Sequence, residues 1–133
     1  MMKKMLICAA MLLVTACGDS PDKRDPGKAI AVAENIKPDA AAIALAEELA
    51  PDDTALAAKY DRSCRSCHSL VDSGAPLTGH KQAWDGRFKT KNMETLLANT
   101  KAGLAAMPAM GLCNDCSDVE FTGLINFMAG RAE

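Results

Sequence analysis

Two cysteines and a histidine stand together at Cys64-Arg65-Ser66-Cys67-His68. The spacing is C-x-x-C-H, the attachment pattern for covalently bound haem c. Each thiol can add to one haem vinyl group, and the adjacent imidazole can then reach the iron. A chain that carries such a group must build its core around it, so no other stretch constrains the fold as strongly. The same letters also occur in zinc sites and in thiol oxidoreductases, so the surroundings must decide. Aromatic residues make up only 4% of the chain. That is thin for one small domain, which needs a staple, metal or cofactor to complete its core. A buried haem would supply that apolar bulk.

The N-terminus reads as an export signal. Lys3 and Lys4 precede an apolar run over 5–14 that is too short to span a membrane. Val14-Thr15-Ala16-Cys17 looks like a bacterial lipobox. That likeness puts cleavage after Ala16 and a lipid on Cys17, tethering the protein to a membrane without a spanning helix. An ordinary secretory signal, with Cys17 left as a plain thiol, is the alternative. Gly18 follows the cysteine and leaves the choice of inner or outer membrane open. The six cysteines then divide without remainder. Cys8 leaves with the signal, Cys17 takes lipid, and Cys64 and Cys67 take haem. Cys113 and Cys116 remain as a second C-x-x-C pair, expected to oxidise outside the cytoplasm to a disulfide closing a tight loop.

Residues 1–16 are thus read as a lipoprotein signal peptide and 17–53 as an acidic, Ala-rich tether or spacer. Residues 19–53 hold nine acidic and four basic side chains. The stretch 18–28, rich in Asp, Pro, Gly and Lys, reads as disordered. The stretch 29–50 has helical propensity but few large apolar groups, so a helix there would be marginal alone. It is read as spacer, with a helix packed on the domain as the alternative. The domain spans 54–133. Asp52, Asp53 and Thr54 can cap a helix over 55–62, with Leu56 and Tyr60 on its inner face. A loop follows over 69–79. Helices over 81–88, carrying Trp84 and Phe88, and 92–99, carrying Met93, Leu96 and Leu97, come next. Ser117-Asp118-Val119-Glu120 is a capping box that opens a last helix to Ala129, with Phe121, Leu124, Ile125 and Met128 inward. No strand and no repeat stands out, so the class is all-α.

His68 is the proximal iron ligand on the haem reading. For the opposite side, position alone leaves Met107, Met110 and His80 open. Met107 has the advantage of Pro108, which stiffens its loop. A thioether ligand is soft and neutral and raises the reduction potential.

The C-x-x-C-H after an N-terminal helix, the Met-Pro loop and the closing helix resemble the class I c-type cytochromes. Ala106-Met107-Pro108 through Gly111-Leu112-Cys113-Asn114-Asp115-Cys116-Ser117-Asp118 is similar, more narrowly, to the cytochrome c-five group. Lys81-Gln82-Ala83-Trp84 with Arg87, and Ile36-Lys37-Pro38 upstream, match that group's style. The resemblance implies the class I cytochrome c fold, short helices wrapped around one covalent haem c, over 54–133. It implies Met107 as the second axial ligand and a structural disulfide between Cys113 and Cys116 beside its loop. It implies that Pro76 offers its carbonyl to His68 Nδ1–H, the bond that orients a ligating imidazole. It also implies Trp84 and Arg87 near the haem propionates, although simple core packing serves equally for Trp84. One departure is Ala109-Met110-Gly111, where the group often carries a lysine, which puts partner choice in doubt.

The expected function is a periplasm-facing, lipid-anchored monohaem cytochrome that shuttles single electrons between redox proteins. It is expected to be a carrier, not an enzyme, because no carboxylate pair, nucleophile–base set or phosphate loop suggests a separate active site. No small-molecule substrate is expected, and a net charge of −2 gives no sign of nucleic acid. Two alternatives stay open. One is a haem-based gas sensor or peroxide-reducing haem protein with a displaceable methionine. The other is a zinc module using Cys64, Cys67, Cys113 and Cys116 as thiolates.

Overall fold

The computed structural model describes residues 37–131. The stretches read as signal peptide, as lipobox with Cys17 and as the first part of a tether lie outside the described residues. Six α-helices order the described chain: α1 Ala40–Glu48, α2 Thr54–Lys59, α3 Arg65–His68, α4 Lys81–Thr90, α5 Met93–Ala102 and α6 Asp118–Met128. A π-helical turn, Tyr60–Cys64, joins α2 to α3. Two 3-10 turns, Val71–Ser73 and Ala109–Leu112, lie in the connections. The described residues contain no strand, only a single bridge between Leu104 and Met107.

Polar caps start the helices where short side chains precede apolar periodicity. Asp53 Oδ1 accepts from Leu56 N at 2.7 Å and Asn92 Oδ1 from Thr95 N at 2.8 Å. At α6 the capping box is complete, with Ser117 Oγ accepting from Glu120 N and Glu120 accepting from Ser117 N. Inside α6, Phe121, Leu124, Ile125 and Met128 are each at most 4% exposed. Each such side chain contributes about 1.5–3 kcal/mol by leaving water. They pack with Tyr60, Cys64, Trp84, Leu96, Cys113 and Cys116 in one cluster, flanked by Leu56, Phe88, Met93 and Leu97. The Tyr60 ring meets Phe127 edge-on at 5.0 Å, and its hydroxyl shares a 2.8 Å hydrogen bond with buried Thr78.

The spacer reading does not describe 40–48. There α1 forms, capped by Asp39 Oδ1 at Ala42 N, and Ala46 is fully buried. Nine residues of mostly alanine would not hold a helix alone. The helix persists because it packs on the domain. Leu45 and Leu49 lie over Gly79, so close that a Cβ there would stand 2.7 Å from Leu49 Cδ1. The propensity of the segment was legible; the surface waiting for it was not.

Lys59 binds Glu120 at 2.5 Å and so ties α2 to the start of α6. That hydrogen bond, followed by those from Ser117, holds the Glu120 carboxyl at about 2, from an ordinary 4.5. Above 4.5 the carboxylate is charged in both states and its stabilisation is complete. As pH falls from 4.5 towards about 2, the unfolded chain takes up a proton that the folded chain refuses, and stability is lost. Urea unfolding midpoints should therefore drop across that window, and Glu120→Gln should flatten the drop. An equal drop in the variant would assign it to other carboxylates.

Candidate haem site

The π turn brings the motif into place. The Arg65 backbone N–H reaches the Tyr60 carbonyl, one residue further back than in an α-helix, and such turns recur at functional sites. It leaves Cys64 buried and Cys67 exposed. Burial, then the neighbouring Cys67, pushes the Cys64 thiol up to about 11. Ser63 Oγ is buried beside it with no hydrogen-bond partner among the described residues.

His68 is 6% exposed, and its Nδ1 lies 2.8 Å from the Pro76 carbonyl oxygen. A carbonyl brings no proton, so Nδ1–H must donate. Burial holds the His68 pKa below its ordinary value, with the Arg87 charge adding to the effect and the Pro76 bond opposing it. The imidazole is thus neutral, and its lone pair is at Nε2, the donor a metal needs. Two further bonds fix the loop that carries Pro76: Thr78 N to His68 O at 2.7 Å and Ser73 Oγ to Cys67 O at 2.5 Å.

Trp84 lies beside the histidine, its ring stacked at 5.9 Å and 24°. Its indole N–H donates to Leu77 O at 2.9 Å, and the residue is 4% exposed. The indole N–H is thus committed to backbone. Arg87 is half-buried on the same helix and donates to Ala83 O at 3.0 Å. His80 immediately precedes α4 and is half-buried.

Met107 sits in a tightly folded loop. Its N–H and carbonyl both bond to Leu104, at 2.9 and 3.0 Å. Its methyl lies over Gly111, where a Cβ would be 3.0 Å from Cε. Ala105, Met110 and Leu112 all take positive φ, 54°, 60° and 67°, a costly concentration of left-handed backbone for side chains with a Cβ. Met110, the rival ligand, packs against the core cluster. Below the loop, Cys113 and Cys116 sit at bonding distance with Cα atoms 5.4 Å apart, within the disulfide range. Arg62, two residues before Cys64, grips Asp115 through both carboxylate oxygens at 2.6 and 2.8 Å. The π turn and the Cys113–Cys116 loop are thereby tied, a link between residues 53 apart in the chain that no local pattern announces.

The donor set suits haem c. It offers two thiols, an imidazole of fixed tautomer directly after them, and a thioether on a stiff loop. Exposed apolar side chains flank both candidate ligands: Leu70 and Val71 after His68, Leu104 and Leu112 around Met107. That is surface suited to a flat apolar macrocycle. It does not suit zinc. Among the described residues no three His, Cys, Asp or Glu side chains converge on a metal position, so the two C-x-x-C pairs do not form a four-thiolate site.

Known proteins agree with this geometry. Residues 51–128 match the family described as cytochrome c oxidase, cbb3-type, subunit III. Cytochrome c5 of Azotobacter vinelandii is 42% identical over 74 residues, covering 55% of this chain and 86% of that protein. Cytochrome c5 of Ectopseudomonas mendocina is 37% identical, covering 52% and 80%. Cytochrome c-555 of Chlorobaculum tepidum is 32% identical, covering 57% and 73%. No solved structure gives a significant match. The matched segment, the all-helical fold and the motif at its centre agree, and the chain belongs to this cytochrome c family as a class I c-type cytochrome with one covalent haem c, resembling the cytochrome c5 group.

Proposed function

We propose that this electron carrier faces the periplasm, held to a bacterial membrane, inner or outer, by a lipid on Cys17. It passes single electrons between redox proteins that dock briefly on it. The observation that carries the redox reading is the His68–Pro76 bond at 2.8 Å, which leaves Nε2 as the ring's donor directly after two attachment thiols. Cys64 and Cys67 would hold the cofactor by thioether bonds, and His68 Nε2 and Met107 Sδ would be the donors to its iron. When bound, haem c supplies a one-electron ferric–ferrous couple. With both donors supplied by the protein, substrate chemistry would be disfavoured and outer-sphere transfer would remain. Cys113 and Cys116 form a disulfide that, with Arg62 and Asp115, steadies the base of the methionine loop. Arg87, whose charge already bears on His68, serves as the cation on the propionate side.

Absorbance spectra of protein matured in a bacterial periplasm, after acid-solvent extraction of loose haem, test the site. Sharp c-type bands, a methionine-to-iron charge-transfer band in the oxidised form and no shift with carbon monoxide are expected. A carbon monoxide shift would mark a displaceable ligand and turn the reading towards sensing or peroxide reduction.

The lipid anchor rests on Val14-Thr15-Ala16-Cys17. Among the described residues no helix is long and apolar enough to cross a membrane. Cys17→Ser should move the protein from the membrane fraction to the soluble periplasmic fraction. Continued membrane retention would remove the lipid from the proposal.

A further inference from the structure

Arg65 is one of the two residues between the attachment cysteines, and its side chain turns away from the haem-binding task. Its Nη1 donates to Glu47 O at 2.8 Å and its Nη2 to Leu49 O at 2.9 Å, the carbonyls at the C-terminal end of α1. Its Nε donates to Asp61 Oδ1 at 2.6 Å, and its guanidinium lies 4.8 Å from the centroid of the Tyr60 ring. A cation at a helix C-terminus satisfies carbonyls that have no partner in the helix and complements the helix dipole. The planar fork lets one side chain reach two carbonyls and a carboxylate from three separate nitrogens, whereas an ammonium presents its donors from a single point. Asp61 and Tyr60 aim the fork, and both belong to the π turn.

We infer that Arg65 is a positioning residue that clamps the N-terminal arm to the haem-attachment helix. Ala46, Leu45 and Leu49 supply apolar contact for α1, yet Leu45 is still 45% exposed, so that contact is small. Arg65 fixes where the arm ends. With α1 docked, the domain begins at Ala40 rather than at Thr54. Undocking would release residues 40–53, up to roughly 45 Å of extended chain. Arg65 thus sets how far, and from which side, the haem domain stands from whatever its N-terminus is attached to. That last consequence rests on the anchored-carrier reading; the clamp itself does not.

The test uses soluble holoprotein carrying Cys17→Ser, so that anchoring plays no part in the result. Amide hydrogen exchange is followed by mass spectrometry in that protein and in its Arg65→Gln and Arg65→Lys derivatives. Arg65→Gln should speed exchange across 42–49 at least tenfold, while α4, α6 and the oxidised and reduced spectra stay as they were. Arg65→Lys keeps the charge but loses the fork that spreads the donors over three nitrogens, and should fall between the parent and Arg65→Gln. Unchanged protection of 42–49 in either variant would overturn the clamp. So would equal loss of protection in α1 and α6, which would make Arg65 a general structural residue. If Arg65→Gln does not mature, Arg65→Lys alone decides.

Discussion

Met107→Ala is expected to abolish the methionine-to-iron band and lower the reduction potential while leaving the haem covalently attached. The thioether favours ferrous iron, and axial ligands span roughly 0.8 V of potential across haem proteins. A drop on the order of 0.1–0.3 V is the expected scale. The loop should survive the change, because Met107 is held by its backbone, both of whose polar groups bond to Leu104. The attachment thiols Cys64 and Cys67 are on a different element. A carbon monoxide shift should appear in the variant and not in the parent. An unchanged spectrum and potential would transfer the axial role to Met110, which would have to leave the core cluster to fill it.

Gly103→Ala should be the most damaging single-methyl change in the described chain. Gly103 closes α5 with φ 85° and ψ 152°, a region that only glycine enters freely. An added Cβ would stand 3.0 Å from Met107 O, 3.0 Å from Ala109 N and 3.2 Å from Pro108 C. All three are backbone atoms, so no side chain can swing aside. Strain and crowding together should cost about 2–3 kcal/mol of folding stability. Because the crowded atoms belong to the Met107–Pro108 turn, carbon monoxide should also compete more readily for the iron. Gly86 is the control. It lies inside α4 with no atom within 4 Å of its would-be Cβ, and Gly86→Ala should stabilise by about 0.5–1 kcal/mol. Denaturant unfolding of the two variants checks both signs. Equal effects would mean that the close approach at Gly103 is relieved by loop movement.

Local rules made the helix starts readable. Asp53, Asn92 and Ser117 with Glu120 cap the helices they were expected to cap, and the four inward residues of α6 are all buried. The ends were less readable: α4 runs to Thr90 and α5 to Ala102, beyond the last large apolar residue of each stripe. Cys64, Cys67 and His68 stood out because their chemistry is uncommon at that spacing, whereas Met107 was separated from Met110 and His80 only through resemblance. Pro76 was reached through resemblance and lies at hydrogen-bond distance from His68. What escaped was long-range. Arg62 with Asp115, Arg65 with α1, and Trp84 with Leu77 O are made by side chains whose identity says little about their partner. The positive φ values at Ala105, Met110 and Leu112 were invisible for a related reason: those residues do not favour that backbone, and the surrounding turn imposes it.

The π turn at Tyr60–Cys64 amounts to one surplus residue threaded into a helix. Each helical residue advances about 100° around the axis. Deleting a residue there would let the segment relax to an ordinary α-helix and rotate everything before it by that angle against the attachment motif. Tyr60, Arg62 and Lys59 would then face away from Thr78, Asp115 and Glu120. The turn works as a phase setting. It lets one continuous run of helix present a core-facing stripe on one side of Cys64 and a cofactor-facing stripe on the other. Insertions and deletions in this short interval should be tolerated far less than in the loops that follow.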